Sequence, residues 1–162
     1  AATCRGLCEA GSTAKVNDGQ PEGCPTILNA FRTGNSEIMP SKSTTKISGL
    51  SVPFNIDGSL ALALLRENGG QAIGVTDEAV FRAQNDMLQS EGIYAEPAAA
   101  AALAGYYQAV DSKLVSTEQN CVCLVTGHGF KDPVAIQAIA RHGPAPGRVE
   151  PAAVRATVRL DY

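Results

Sequence analysis

The sequence contains no tryptophan, and aromatic residues make up only 5% of its 162 residues. Positive charge is also scarce, because 13 Lys and Arg against 16 Asp and Glu give a net charge of -3. Nucleic acids and anionic membranes are bound through clusters of positive charge, so we expect neither as a partner. No apolar run approaches the roughly 20 residues of a membrane span. The first residues lack the apolar core of a signal peptide, so none is expected.

Cysteine is sparse, odd in number and scattered: Cys4, Cys8, Cys24, Cys121 and Cys123. A secreted disulfide framework would show an even count in a chain richer in cysteine. Zinc sites use Cys-x-x-Cys pairs, and none is present, so no metal site is predicted. We therefore expect a reducing compartment, the cytoplasm. The alternating pair near the end is interpreted as small core residues on one side of a strand.

The chain is long enough for a single domain over residues 1–162, since a domain of this size buries roughly 70% of its unfolded surface. Residues 144–162 contain three prolines and are interpreted as a strap or tail. Elsewhere, short apolar strands alternate with amphipathic helices. That alternation is typical of parallel β-α-β units in an α/β fold.

The predicted helices cover residues 4–10, 25–31, 57–68, 77–91, 98–115 and 132–141, and the predicted strands cover 15–20, 71–76 and 121–125. Helix ends are indicated by Asp57, by Thr76 or Asp77, and by Gly92. The expected inward-facing residues are Leu60, Ala61, Leu64 and Leu65 in one helix and Val80, Phe81, Met87 and Leu88 in the next. The first strand is the weakest prediction, because Asn17, Asp18 and Gly19 are poor strand formers.

The most informative stretch is residues 121–133, CVCLVTGHGFKDP. It predicts a buried strand that delivers Thr126 and a glycine-rich turn to the carboxyl edge of a sheet, where open α/β folds bind ligands. The Thr126 hydroxyl could hydrogen-bond a heterocyclic nitrogen or cap the turn, and the pattern supports both equally. Gly127 allows close backbone approach. Glu96 precedes the alanine-rich helix, where a carboxylate is stabilised by the free N–H groups.

This stretch closely resembles the Leu-Thr-Gly-His-Gly-Leu-Lys-Asp-Pro signature of the threonine synthases. Residues 92–100, GIYAEPAAA, resemble that family's Gly-Ile-Phe-Ala-Glu-Pro-Ala-x-Ala segment. Further matches occur at residues 20–25, 44–49 and 57–70, and residues 52–133 match best. The chain as a whole looks like the C-terminal half of a threonine synthase, a pyridoxal-phosphate enzyme of fold type II in the tryptophan synthase β superfamily.

The resemblance implies an α/β fold with a partial three-layer parallel sheet and flanking helices, part of the large domain of such enzymes. It implies pyridoxal 5'-phosphate as cofactor and O-phosphohomoserine as the substrate converted to threonine and phosphate. Thr126 would contact the pyridine nitrogen, Gly127 would let the backbone approach the ring, and Glu96 would line the cleft. No catalytic residue is assigned to this chain.

The family's Schiff-base lysine and glycine-rich phosphate cup precede the region represented here. In the family that lysine lies in a Ser/Thr-Phe-Lys-Asp/x-Arg motif, and this setting surrounds none of Lys15, Lys42, Lys46, Lys113 or Lys131. We therefore expect a complementary N-terminal half or chain that carries the lysine, a small amino-acid substrate, and association into an oligomer. Two alternatives stay open: another fold-type-II enzyme, such as a threonine dehydratase or a cysteate-synthase-like enzyme, and a non-catalytic α/β binding or assembly module.

Overall fold

The computed structural model describes residues 2–131 together with Pro133, Ile136 and Gln137. Its helices are α1 (Ala2–Glu9), α2 (Thr26–Thr33), α3 (Gly58–Glu67), α4 (Asp77–Glu91) and α5 (Pro97–Asp111), and its strands are β1 (Asp18–Pro21) and β2 (Ala72–Val75). Single 3₁₀ turns occur at Ser48–Leu50 and Gly129–Lys131. Apart from Pro133, Ile136 and Gln137, the predicted helix at 132–141 lies outside the described residues, and so does the tail at 144–162. Within the described part, no helix has the length and apolarity to cross a membrane.

Strands β1 and β2 form a parallel pair in which Asp18 lies opposite Ala72 and Pro21 lies opposite Val75. The first strand therefore forms despite its unfavourable residues, but three positions later than predicted. Part of the reason is Asn17, whose Oδ1 accepts a hydrogen bond of 2.9 Å from the backbone N–H of Gln71. The side chain thus extends the ladder by one bond beyond the strand.

Helices cover both faces of this sheet. Helix α5 packs on both strands and α4 packs on α5, whereas α2 packs on β2 from the other side and α3 packs on α2. The contact with α2 on the second face is visible at Gly74 of β2, where an added Cβ would lie 2.9 Å from the Leu28 side chain. The predicted three-layer α/β arrangement with a parallel sheet is confirmed.

The alanine-rich helix α5 approaches the sheet closely because neither surface carries large side chains at the contact. Ala100, Ala101 and Ala104 are at most 2% exposed. A Cβ added to Gly19 would lie only 2.8 Å from the carbonyl oxygen of Ala101. The layer spacing at this point is therefore set by glycine and alanine.

The ends of α4 were predicted correctly. The Oγ1 of Thr76 accepts a hydrogen bond of 3.1 Å from the N–H of Ala79, and Gly92 ends the helix with a left-handed φ of 67°. At α3, Asp57 occupies the N-cap position but its side chain forms no capping bond. Instead, Oδ1 of Asn55 accepts a hydrogen bond of 3.3 Å from the N–H of Ser59.

The predicted inner face of α3 was partly wrong. Leu62 is 1% exposed and packs with Ala30 and Ile38, whereas Leu60 is 43% exposed. The contact with α2 rotates the buried side of the helix away from Leu60, and an amphipathic pattern alone does not say which neighbour a helix will meet. In α4, Val80 and Met87 are buried as predicted, and Phe81 and Leu88 are half-buried.

The predicted strand at residues 121–125 does not form. Val122 is 84% exposed and Leu124 is 51% exposed. No backbone hydrogen bond joins residues 121–126 to another described residue. Strand propensity reflects packing against neighbouring strands, and here β1 and β2 offer this run no partner. The interpretation of Cys121 and Cys123 as core residues was therefore also wrong: the first is exposed and the second half-buried.

Asp18 carries a buried polar atom without a partner. Its Oδ2 is inaccessible to solvent and forms no hydrogen bond within the described part of the chain. The side chain faces a cavity of about 260 Å³, with Ile38, Leu50 and Phe54 among its lining residues. Burial raises the pKa of this carboxyl above its ordinary value of 3.8.

Replacing Gly19 with alanine should destabilise the fold, because the new methyl group would press on the backbone of α5. Overpacking of this kind costs about 1 to 3 kcal/mol. Urea unfolding of Gly19→Ala measures the loss, and Gly6→Ala is the control, since no atom lies within 4 Å of a Cβ at that exposed position of α1. Equal unfolding free energies for the two variants would contradict the close approach of α5.

Asp18→Asn should raise the unfolding free energy at neutral pH. Because the pKa of Asp18 is higher in the folded than in the unfolded protein, the protonated carboxyl favours folding. This contribution to the unfolding free energy is complete below the unfolded-state pKa and is lost as pH rises through the folded-state pKa. The variant should therefore exceed the original protein by about 1 kcal/mol at pH 7, with the difference shrinking toward pH 3. A difference that is independent of pH in urea titrations would show that ionisation of Asp18 is not responsible.

Candidate functional site

The glycine-rich turn after residue 125 is joined to the segment that precedes α5. Ala95 and His128 form an isolated antiparallel bridge. The N–H of Glu96 donates to the carbonyl of Gly127 at 2.9 Å, and the N–H of Gly129 donates to the carbonyl of Tyr94 at 2.8 Å. Two of the three predicted site residues, Glu96 and Gly127, are therefore in direct contact although 31 positions separate them (127 minus 96).

Three aromatic side chains contact one another at this junction. Tyr94 meets His128 edge-on at a centroid distance of 5.9 Å and Phe130 at 5.4 Å, and the His128 and Phe130 rings stack at 4.8 Å. Gly129 lies under the Tyr94 ring, which is 2.6 Å from where a Cβ would stand. The Nδ1 of His128 accepts the N–H of Phe130 at 3.3 Å. The histidine lies outside the helices and strands, in the turn itself.

Glu96 occupies the N-cap position of α5, and Pro97 takes the first helical position. The capping is done by the backbone, since the carbonyl of Glu96 accepts the N–H groups of Ala99 and Ala100 at 3.0 Å. The side chain forms no capping bond, so the predicted carboxylate cap was wrong. The carboxylate instead lies over Gly127.

Gly127 is needed to make room for that carboxylate. A Cβ at this position would overlap Oε1 of Glu96. The sequence predicted a glycine that lets backbone approach a ligand; the structure adds a side chain of the same chain that already requires the space. Only the packing could show this, because nothing near either residue in the sequence pairs them.

Thr126 directly precedes this contact, and its side chain is exposed. Its hydroxyl forms no hydrogen bond with another described residue, so the turn-capping alternative finds no support in this part of the chain. A free hydroxyl beside Gly127 fits a planar nitrogen heterocycle, because it can donate one hydrogen bond without adding charge. The contact with the pyridine nitrogen stays a prediction.

A small cavity lies next to Glu96. It measures about 60 Å³ and is lined by residues 47–49, residues 96–98 and Lys131. Pockets that enclose a ligand of drug size measure roughly 300 to 1,000 Å³. The cavity beside Glu96 is therefore too small to enclose a cofactor. Sequence reasoning missed residues 47–49 as part of the cavity wall, although the match at 44–49 was the signal that pointed to them.

One of the two thiols before Thr126 has a raised pKa. Burial, the neighbouring Cys121 and a hydrogen bond between the two thiols raise the pKa of Cys123 to about 11. A thiol with such a pKa is a poor nucleophile at neutral pH. No group of three or more His, Cys, Asp or Glu side chains suited to a metal ion occurs among the described residues.

A family model described as pyridoxal-phosphate dependent enzyme matches residues 1–127. The threonine synthase of Methanosarcina acetivorans is 36% identical over 126 residues, which are 77% of this chain and 31% of that protein. The threonine synthase of Methanocaldococcus jannaschii is 34% identical over 122 residues, 75% of this chain and 30% of that protein. The chain thus spans about a third of the length of these relatives.

Among solved structures, maize serine racemase superposes with a TM-score of 0.62 at 20% sequence identity. The superposition covers 85% of this chain and 42% of the racemase. At this identity the likeness supports the fold: helices on both sides of a parallel sheet, in the arrangement of that structure.

The contact between Glu96 and Gly127 predicts a strong coupling between the two positions. Gly127→Ala should lower the unfolding free energy by about 1 to 3 kcal/mol, because the methyl group must displace the carboxylate. In a Glu96→Ala background the same substitution should cost much less, giving a coupling energy of about 0.5 to 3 kcal/mol in a double-mutant cycle. Additive effects in urea unfolding would show that the carboxylate does not occupy the space over Gly127.

Proposed function

The chain belongs to the family of pyridoxal-phosphate-dependent enzymes of fold type II, and from this premise we propose that it forms the ring-nitrogen side of the active site of a threonine-synthase-like enzyme. The reaction proposed is conversion of O-phosphohomoserine to threonine with loss of phosphate. The observation that carries the proposal is the contact between the 94–96 segment and the Thr-Gly-His-Gly turn, which gathers Glu96, Gly127 and the neighbouring Thr126. The similarity to threonine synthases from two archaea supports the same conclusion.

Each of these three residues has a role that its setting supports. The Thr126 hydroxyl donates a hydrogen bond to the pyridine nitrogen and adds no charge there. Gly127 leaves the room that the Glu96 carboxylate occupies, and together the two residues would form the wall beside the ring. Pyridoxal phosphate, when bound, supplies the electron sink for chemistry at the carbon next to an amino group.

The remainder of the site is proposed to come from a complementary N-terminal part or chain that carries the Schiff-base lysine. A cavity of about 60 Å³ can hold only a fraction of a cofactor. Val122, Leu124 and Phe130 are each at least 51% exposed, and such a concentration of apolar surface beside a site is typical of a surface that another segment covers. Association into an oligomer and a small amino-acid substrate complete the proposal.

The proposed setting is one domain over residues 1–162, in the cytoplasm. The sparse and odd number of cysteines in the sequence supports a reducing compartment.

The cofactor assignment is tested by the visible absorption spectrum of the complete protein mixed with pyridoxal phosphate, before and after borohydride reduction, followed by the intact mass of each chain. We expect a cofactor absorption band, and a covalent mass gain on the complementary part and not on this chain. A reduced adduct on Lys131, which lines the cavity beside Glu96, would contradict the assignment of the lysine to another segment. The absence of any band with every part present would favour a non-catalytic module.

Thr126→Ala should weaken the binding of pyridoxal phosphate about fivefold to tenfold, because a hydrogen bond to a ligand contributes about 1 kcal/mol to the binding free energy. Thr126→Ser keeps the hydroxyl and should restore most of the affinity. Thr117→Ala removes another exposed threonine hydroxyl and is the control. Equal affinity for Thr126→Ala and Thr117→Ala in a spectrophotometric titration would remove Thr126 from the site.

A further inference from the structure

Asp77, the first residue of α4, uses both carboxylate oxygens to hold a loop that is distant in sequence. Its Oδ1 accepts the hydroxyl of Thr45 at 2.5 Å, and its Oδ2 accepts the backbone N–H of Lys46 at 2.6 Å. Hydrogen bonds to an ionised acceptor are roughly twice as strong as neutral ones. This carboxylate is therefore a firm attachment between the start of α4 and residues 45–46.

The attachment continues into the next residue. The Oγ1 of Thr45 accepts the N–H of Ile47 at 3.1 Å, so the same hydroxyl donates to the carboxylate and fixes the following peptide. The Ile47 side chain is 1% exposed and lies in the core cluster that contains Val80 and Ala99. Residue 47 is thus held both by its backbone and by its side chain.

Residues 47–49 then form part of the cavity beside Glu96. The carbonyl of Ile47 accepts the N–H of Leu50 at 3.0 Å, which closes the 3₁₀ turn. A Cβ on Gly49 would lie 2.9 Å from the Cβ of Ala98, so the turn rests directly on the first residues of α5. The cavity wall is therefore placed by the loop that Asp77 holds, although Asp77 itself does not line the cavity.

We propose that Asp77 is a positioning residue for the cofactor site: through Thr45 and Lys46 it fixes the turn at residues 47–49 against the start of α5. The inference rests on the proposed function, because it takes the cavity beside Glu96 as part of that site. It adds a residue that neither touches the cofactor wall nor lies near it in the sequence. The three positions 45, 49 and 77 together determine the shape of this wall.

A simpler role for Asp77 is electrostatic, since an acidic side chain in the first turn stabilises a helix. The chain provides a matched control for that role. Glu78 also lies in the first turn of α4, and its side chain forms no hydrogen bond with another described residue. Asp77→Ala and Glu78→Ala each remove one negative charge from the same helix end, and only the first removes the attachment to residues 45–46.

A further variant, at Thr45, breaks the attachment but leaves the charge of α4 intact. Thr45→Val replaces the hydroxyl by a methyl group of similar size and breaks the link between Asp77 and the N–H of Ile47. Thr45→Ser keeps the hydroxyl and should behave like the original protein. Circular dichroism confirms that each variant is folded before the comparison.

The experiment measures amide hydrogen exchange of residues 44–50 in the full chain without cofactor, and pyridoxal phosphate affinity in the complete protein. Asp77→Ala and Thr45→Val should each speed amide exchange of residues 44–50. Each should also weaken binding of pyridoxal phosphate roughly tenfold, the effect of losing a hydrogen bond to a charged group. Glu78→Ala and Thr45→Ser should change neither quantity. The same exchange rates for Asp77→Ala and Glu78→Ala would overturn the proposal.

The two readouts separate the two proposals. If the original protein binds pyridoxal phosphate and Asp77→Ala binds it as tightly as Glu78→Ala does, the positioning role fails while the proposed function stands. If the original complete protein does not bind pyridoxal phosphate, the proposed function fails, and positioning of a cofactor wall fails with it. Faster exchange in Asp77→Ala would then report only the attachment of the loop.

Discussion

The close approach of α5 to the two strands is the constraint on which the rest of this structure depends. Gly19 has no side chain to hold the layers apart, and Ala101 presents its backbone to that space. Helix α5 begins at Pro97, and Glu96 is its N-cap residue. The distance between α5 and the sheet therefore also determines where Glu96 lies. A larger residue at the contact would move the helix and the site residue together.

From that point the site is built by backbone contacts more than by side chains. The 94–96 segment pairs with the 127–129 turn through two backbone hydrogen bonds, and the 47–49 turn rests on Ala98. Glycines occur where these segments meet, because each contact leaves no room for a Cβ. The arrangement thus brings three segments that are distant in the sequence to the first turn of one helix.

The sequence was most informative where a local rule decides the structure. Thr76 and Gly92 mark helix ends because side-chain capping and a left-handed φ depend on the residue itself. It was least informative where a distant neighbour decides. The side of α3 that is buried depends on α2, the run at 121–125 needs a partner strand to become a strand, and the unfavourable start of β1 is supported by the Asn17 side chain. For the site, the family motif supplied Glu96, Thr126 and Gly127, whereas residues 47–49 and the contact of carboxylate with glycine emerged only from packing.

The outer edge of β1 has a consequence for how this sheet can grow. The N–H groups of Asp18 and Glu22 both point toward β2, so the intervening Gly19 and Pro21 direct their backbone the other way. Proline has no N–H, and the carbonyl of Pro21 already accepts the N–H of Cys24 at 2.9 Å. Gly19 is then the one residue of β1 whose donor and acceptor on that side have no partner among the described residues. An edge with so few free backbone groups disfavours the open-ended pairing of identical edges.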